Sequence, residues 1–248
     1  MNQTTEIRDI LDRLNEEQIK PVLTTEGPVL VLAGAGSGKT RVLTSRIAYL
    51  IAEKDVPPEA ILAITFTNKA ANEMKERIGQ IVDARGMWVC TIHSMCVRIL
   101  RMYAAEAGLT QNFSIYSETE RANIIKKSFQ ECDFDDEKLL KNVKWHIANA
   151  KMLGLSPAEY AEENAKEREI DDVTKVYARY QAHLRENNAL DFDDLLNEAR
   201  QLLKRNEEAR GYLGGRFRYI LVDEFQDTNA VQFEIVKLLA SVHGNLFV

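Results

Sequence analysis

Apolar residues follow two rhythms along this chain. Pro28-Val29-Leu30-Val31-Leu32 is an unbroken apolar run, and similar runs occur at 60–66 and 88–92. Short apolar runs bounded by turn-forming or polar residues predict strands, here 28–33, 60–66 and 88–92. Between and after them, apolar positions recur at helical spacing and predict helices over 38–53, 69–84 and 93–106. Strand alternating with helix predicts an α/β fold, a parallel sheet flanked by helices.

The rhythm changes near Gly108. From about 117 to 187 the chain is highly charged, with helical periodicity and no convincing strand. Helices are predicted over 118–131, 137–152, 157–167 and 169–187, an all-helical inserted subdomain. From about 191 the first rhythm returns, with a helix over 192–205, a strand over 217–223 and a helix over 229–242. Asn245 to Val248 reads as the start of another strand, so the chain is expected to be a fragment of something longer. There is no internal repeat and no low-complexity tract.

Composition changes this picture little. The 248 residues are 45% hydrophobic and 28% charged, ordinary for a globular protein. No apolar run approaches the roughly 18 residues that a membrane span needs, and the polar N-terminus lacks a signal-peptide pattern. The expected location is the cytoplasm, with no membrane partner. A net charge of −6 weakly opposes a broad nucleic-acid footprint, although a local basic stripe remains compatible with it. Three cysteines (Cys90, Cys96 and Cys132), no C-x-x-C and four histidines argue against zinc and for reduced, buried thiols.

The chemistry begins at Ala33-Gly34-Ala35-Gly36-Ser37-Gly38-Lys39-Thr40. A predicted strand precedes this run and a predicted helix follows it, the context that a phosphate-binding loop requires. Glycines let successive backbone N–H groups turn toward phosphate oxygens, and the helix start adds its positive dipole end. Lys39 would reach the β- and γ-phosphates, and the Thr40 hydroxyl would bind Mg²⁺. Ala33 stands where this motif usually has its first glycine. The plain alternative is an ordinary glycine-rich turn.

A second apolar run, Tyr219-Ile220-Leu221-Val222, ends in Asp223-Glu224. In phosphate-loop proteins an acid at the tip of a neighbouring strand holds Mg²⁺. Asp223 fits that role through water, and Glu224 would be the general base for an attacking water. Taken alone, the pair could equally be two solvated acids at a strand end.

Taken together, these strings resemble those of superfamily 1 DNA helicases of the UvrD/Rep/PcrA type. Asp223-Glu224-Phe225-Gln226-Asp227-Thr228 resembles their Walker B motif, and Ala33 to Arg41 their Walker A, alanine included. Leu14-Asn15-x-x-Gln18 resembles their Q motif. Ile64 to Ala71 with Glu73 and Met74 resembles motif Ia, Thr91-Ile92-His93-Ser94 motif Ib, and Asp191 to Leu195 the motif after the helical insertion. The blocks occur in family order along essentially the whole chain.

The resemblance implies a RecA-like P-loop NTPase domain over 1–107 and 188–248, truncated at its C-terminus, with a helical 1B-like insertion over 108–187. It implies ATP and Mg²⁺ as cofactors and 3′-to-5′ movement on single-stranded DNA. The partners it implies are single-stranded DNA, single-strand/duplex junctions and the missing second RecA-like domain of the same protein. Gln18 would read the adenine edge and Arg41 would stack on the base. Ala35, Gly36, Ser37, Gly38, Lys39 and Thr40 would hold phosphates. Thr40 and Asp223 would hold the metal. Lys39, Glu224 and Gln226 would be catalytic, with Gln226 sensing the γ-phosphate.

Phe66, Thr67 and Asn68 follow the second strand, where an aromatic can stack on a base without reading sequence. Phe66 could also be core. Thr91, His93 and Ser94 form another polar cluster at a strand end, suited to DNA phosphates, although His93 could be a satisfied core histidine. Lys138, Lys141, Lys144 and Lys151 fall at helical spacing around Trp145. They would contact DNA, or form a solvated face beside one buried tryptophan. Asp191 and Asp194 read as an N-cap pair.

Two other readings stand beside this one. A GTPase should carry Asn-Lys-x-Asp, and Asn68-Lys69-Ala70-Ala71 lacks the final Asp. The chain by itself could also be an ATP- and DNA-binding half-site with little hydrolysis, because arginine fingers from a second domain contribute about 10³–10⁵ in rate.

Overall fold

The computed structural model describes residues 3–34 and 36–248. Its elements begin with the helices α1 (Gln3–Leu11), α2 (Glu16–Leu23) and α3 (Lys39–Glu53), then β1 (Ile61–Thr65), α4 (Asn68–Gly79), β2 (Trp88–Thr91) and α5 (Ile92–Met102). Next come β3 (Ser114–Ile115), α6 (Glu118–Glu131), α7 (Glu137–Leu153), α8 (Pro157–Glu163), α9 (Ile170–Glu186) and β4 (Ala189–Leu190). The last are α10 (Phe192–Arg205), α11 (Glu207–Arg216), β5 (Tyr219–Val222), α12 (Ala230–Ala240) and β6 (Leu246–Phe247). The chain forms two compact units. One comprises Met1–Met95, Asn206–Thr228 and Val236–Val248, the other Cys96–Arg205 and Asn229–Ile235.

The first unit is α/β. Its sheet has the order β2-β1-β5-β6, with every pair parallel. All five residues of β1 are buried, as expected for a parallel strand covered on both faces. Val42, Leu43, Ile47 and Leu50 of α3 and Met74 and Ile78 of α4 share one core with Ile61, Ala63, Leu221 and Phe247. Because β1, β2 and β5 are parallel, the residues after each of them emerge at one edge, where ligands bind in open α/β sheets.

The expected strand over 28–33 is the least regular. Val29 and Val31 donate to the carbonyls of Leu246 and Val248 at 2.8 Å, and Val248 donates back to Val29, but only Val29 makes a bridge, to Phe247. Leu30 and Leu32 point away from the core and are 64% and 86% exposed. The predicted helices over 69–84, 93–106 and 157–167 stop short, at Gly79, Met102 and Glu163.

The second unit is helical apart from the two-residue parallel pair β3–β4. Capping boxes Ser117/Glu120 and Ser156/Glu159 start α6 and α8. Ile125, Phe129, Val143, Ile147, Val176 and Tyr180 belong to its core.

Two expectations for α7 need correction. Trp145 is not buried but 62% exposed, opposite the face carrying Val143, Ile147 and Ala150. Lys151 does not join the exposed lysines. Six residues after Trp145 it turns inward, is fully buried, and its ammonium lies 2.6 Å from Asp191 and 2.8 Å from Asp194. Those two acids also form the expected N-terminal cap of α10, since the Asp194 N–H donates to Asp191 at 2.8 Å and the Asp191 N–H to Asp194 at 3.4 Å.

Candidate nucleotide-binding site

The loop between Val31 and α3 turns on two glycines with left-handed backbone, Gly36 (φ 74°) and Gly38 (φ 90°). Such values strain any residue with a Cβ. Ser37 folds back on the loop, its hydroxyl donating to the Gly34 carbonyl at 2.7 Å. Gly38 caps α3 without a side-chain hydrogen bond, which leaves the first N–H groups of a 15-residue helix for an anion. Ala35 lies outside the described residues.

The two residues that open α3 face the β5 tip. Lys39 Nζ lies 3.3 Å from the Ala33 carbonyl and 3.9 Å from Glu224 Oε2. Thr40 Oγ1 donates to Asp223 Oδ2 at 3.3 Å. Asp223 continues the β5–β1 ladder, its N–H donating to the Ile64 carbonyl at 2.9 Å. Glu224 then breaks from the strand with φ 50°, left-handed for a residue that is not glycine. That turn brings its carboxylate under the Gln226 amide, which donates to Glu224 Oε2.

Burial raises the Asp223 carboxyl above its usual range, and the neighbouring Glu224 charge adds to the effect. A half-buried carboxylate held beside a hydroxyl and a second acid is a donor set that a hard divalent cation would satisfy. Among the described residues no group of three or more His, Cys, Asp or Glu side chains gathers. A cation here would therefore draw further ligands from phosphate and water.

Gln18 reaches the loop from the start of α2. With Asn15 it forms a capping box: the Gln18 N–H donates to Asn15 Oδ1 at 2.9 Å, and the Asn15 N–H to Gln18 Oε1 at 3.1 Å. The remaining donor, Nε2, bonds the Ser37 carbonyl at 2.9 Å. Arg41 is exposed on the first turn of α3. Sequence reading gave no role to Asn15. It also passed over Arg46, a charged residue on the stripe of Val42, Leu43, Ile47 and Leu50 that is itself buried.

The expected DNA residues lie past the neighbouring strands of the same unit, where Thr65 of β1 pairs with Thr91 of β2. Phe66 is 57% exposed, so it is not core. Thr67 is occupied as the cap of α4, accepting from the Ala70 N–H at 3.1 Å, and Asn68 is exposed on that first turn. Thr91 is buried, and its hydroxyl bonds Ser94 Oγ at 2.9 Å and accepts the Ser94 N–H at 3.2 Å. His93 is half-buried, and burial lowers its pKa.

A parallel sheet flanked by helices, with a glycine loop entering a helix opposite two acids at a strand tip, is the build of a RecA-like helicase domain. Residues 14–248 match the family model of the UvrD/REP helicase N-terminal domain, and the chain belongs to that family. It is 48% identical over 242 residues to the ATP-dependent DNA helicase PcrA of Staphylococcus aureus strain Mu50, covering 96% of this chain and 33% of that protein. The PcrA of Staphylococcus epidermidis is 46% identical over 241 residues, with the same coverage. The chain thus spans about a third of the length of these relatives.

Proposed function

We propose that this chain is the ATP-binding portion of an ATP-dependent DNA helicase that moves 3′ to 5′ along single-stranded DNA. The observation that carries the reading is the meeting of Lys39 and Thr40 with Asp223 and Glu224 across the cleft. In this reading the loop N–H groups and Lys39 hold the β- and γ-phosphates. Gln18 reads adenine and Arg41 stacks on it. Thr40 and Asp223 hold Mg²⁺, which when bound supplies positive charge against the phosphates. The Glu224 carboxylate accepts a proton from the water that attacks the γ-phosphorus, and Gln226 orients that carboxylate.

Residues 1–107 and 188–248 act as the first RecA-like domain and 108–187 as a 1B-like insertion. A second RecA-like domain completes the ATP cleft. Phe66 stacks on a base, while Asn68, His93 and Ser94 line the strand's path near a single-strand/duplex junction, with Thr67 and Thr91 behind them holding the start of α4 and Ser94 in place. The work is done in the cytoplasm, in DNA repair or replication. No described helix is long and apolar enough to cross a membrane.

The test is ATP hydrolysis by this chain with and without single-stranded DNA, beside Glu224→Gln. DNA-stimulated hydrolysis that Glu224→Gln abolishes supports a working hydrolytic site, with its DNA coupling, within the chain. Binding of Mg-ATP without hydrolysis in either protein supports the second reading, a half-site, which the exposed Leu30 and Leu32 beside the loop favour. Absence of both ATP and DNA binding overturns both.

A further inference from the structure

We infer that Arg46 is a positioning residue for nucleobase selection, holding α2 so that the Gln18 amide stays over the phosphate loop. The inference rests on the reading of Gln18 as the base-recognising residue. Arg46 lies on α3, two turns past Lys39, and is almost completely buried. Its Nη1 donates to the Pro21 carbonyl at 2.6 Å and to the Thr24 carbonyl, and its Nη2 donates to the Thr25 carbonyl at 2.9 Å. These carbonyls lie at the C-terminal end of α2, where the last turn of a helix leaves acceptors unpaired and its dipole favours a cation.

The other end of α2 is fixed by Gln18 itself, through Asn15 and the Ser37 carbonyl. One short helix is thus clamped at both ends to the loop-and-helix that binds phosphate. Gln18 is partly exposed and Leu23 and Thr24 meet solvent, while the Arg46 guanidinium beneath them is buried. The Phe247 ring lies against the guanidinium, 4.7 Å from its carbon. Burial draws the Arg46 pKa down to about 10, which leaves it charged at neutral pH, and Tyr219 and Glu26 act in the opposite direction. Lysine cannot reproduce the clamp, since a single ammonium has no planar fork to span three carbonyls.

Two ligand sets separate this role from a merely stabilising one. ATP and GTP differ only in the base, whereas inorganic tripolyphosphate engages the loop alone. A variant that only unfolds part of the population weakens all three in the same proportion. Affinities of the 248-residue chain for the three are measured by calorimetry in native, Gln18→Ala, Arg46→Lys and Arg46→Met forms, with folding checked by circular dichroism.

The expected result is that Gln18→Ala and Arg46→Lys each reduce the ATP:GTP affinity ratio by about fivefold, the value of one lost hydrogen bond, while tripolyphosphate affinity falls less than ATP affinity does. Arg46→Met should do the same wherever it folds, and Arg46→Lys keeps the test alive if it does not. If Gln18→Ala loses the ratio while folded Arg46→Lys keeps it, the positioning role is overturned and the base reading stands. If the native chain shows no preference, or Gln18→Ala retains it, the base reading fails and the inference with it.

Discussion

The Thr40 hydroxyl donates to the Asp223 carboxylate at 3.3 Å although 183 positions of sequence separate them. Thr40 sits in the first turn of α3, and Asp223 directly follows β5 with its N–H still bonded to the Ile64 carbonyl, so both are held close to regular elements. If both hold one Mg²⁺, their effects cannot add. Thr40→Ala and Asp223→Asn should each weaken Mg²⁺-dependent ATP binding about tenfold, and the double variant should be little worse than the poorer single one. Calorimetric titration with and without Mg²⁺ measures the coupling.

Glu224→Gln keeps the shape of the side chain and removes its basicity. Hydrolysis should fall by about 10²–10⁴-fold, the usual contribution of a general base, while ATP affinity stays within a few-fold of native. Single-turnover phosphate release separates the two quantities.

Phe66 is exposed, so removing its ring should disturb the fold little. Phe66→Ala should leave the urea midpoint nearly unchanged. It should weaken single-stranded DNA binding by about 5- to 150-fold, the range of one lost base–aromatic stack. Fluorescence anisotropy with a labelled oligonucleotide gives the affinity, and a simultaneous loss of stability would contradict the assignment.

Lys151 and Lys141 lie ten residues apart on one helix and should behave in opposite ways. Lys151→Met leaves Asp191 and Asp194 buried without their ammonium and should cost about 3–5 kcal/mol. Lys141→Met, on the exposed face, should change stability by about 0.5 kcal/mol or less. Urea unfolding of the two variants compares them directly.

The same cluster predicts a pH dependence. Burial raises the Asp194 carboxyl from 3.8 to about 6, with Lys151 opposing that rise and Asp191 adding to it. The folded chain therefore binds this proton more tightly than the unfolded chain does. Its contribution to stability is greatest at the acid end and declines as pH rises from 3.8 to about 6. Asp194→Asn should remove that part of the slope, seen as a smaller fall in urea midpoint across the window than in the native protein.

Much of this fold is legible in the sequence. Helices α6 and α10 begin and end where their periodicity predicts, because polar caps and apolar stripes agree there. Helix α11 is hidden by Gly211, Gly214 and Gly215, which weaken any helical reading. Yet a Cβ on Gly214 would fall 2.5 Å from Val242 Cγ2 and 3.0 Å from the Leu239 carbonyl, so close packing explains one of those glycines. Helices α1 and α2 are short, and α2 contains Pro21, so periodicity alone does not reveal them. The two-residue pair β3–β4 is too brief for alternation to show.

At the site, the motifs name Lys39, Thr40, Asp223 and Glu224, but not the contacts of Arg46 with three carbonyls. Backbone acceptors leave no residue-type signature. Only the oddity of an arginine on an apolar stripe pointed there. The inward turn of Lys151 is not legible in the sequence, because helical spacing places residues around a cylinder without saying which side meets a second helix.

The left-handed backbone at Glu224 also bears on how this sequence can evolve or be improved. A side chain in that conformation costs about 1–2 kcal/mol, which asparagine or glycine would reduce. A library selected for heat resistance alone should therefore drift toward those residues at position 224 and become catalytically silent while growing more robust. Thermostability screens on this chain need turnover as a second criterion, because the best-folding sequence and the working sequence part company at that residue.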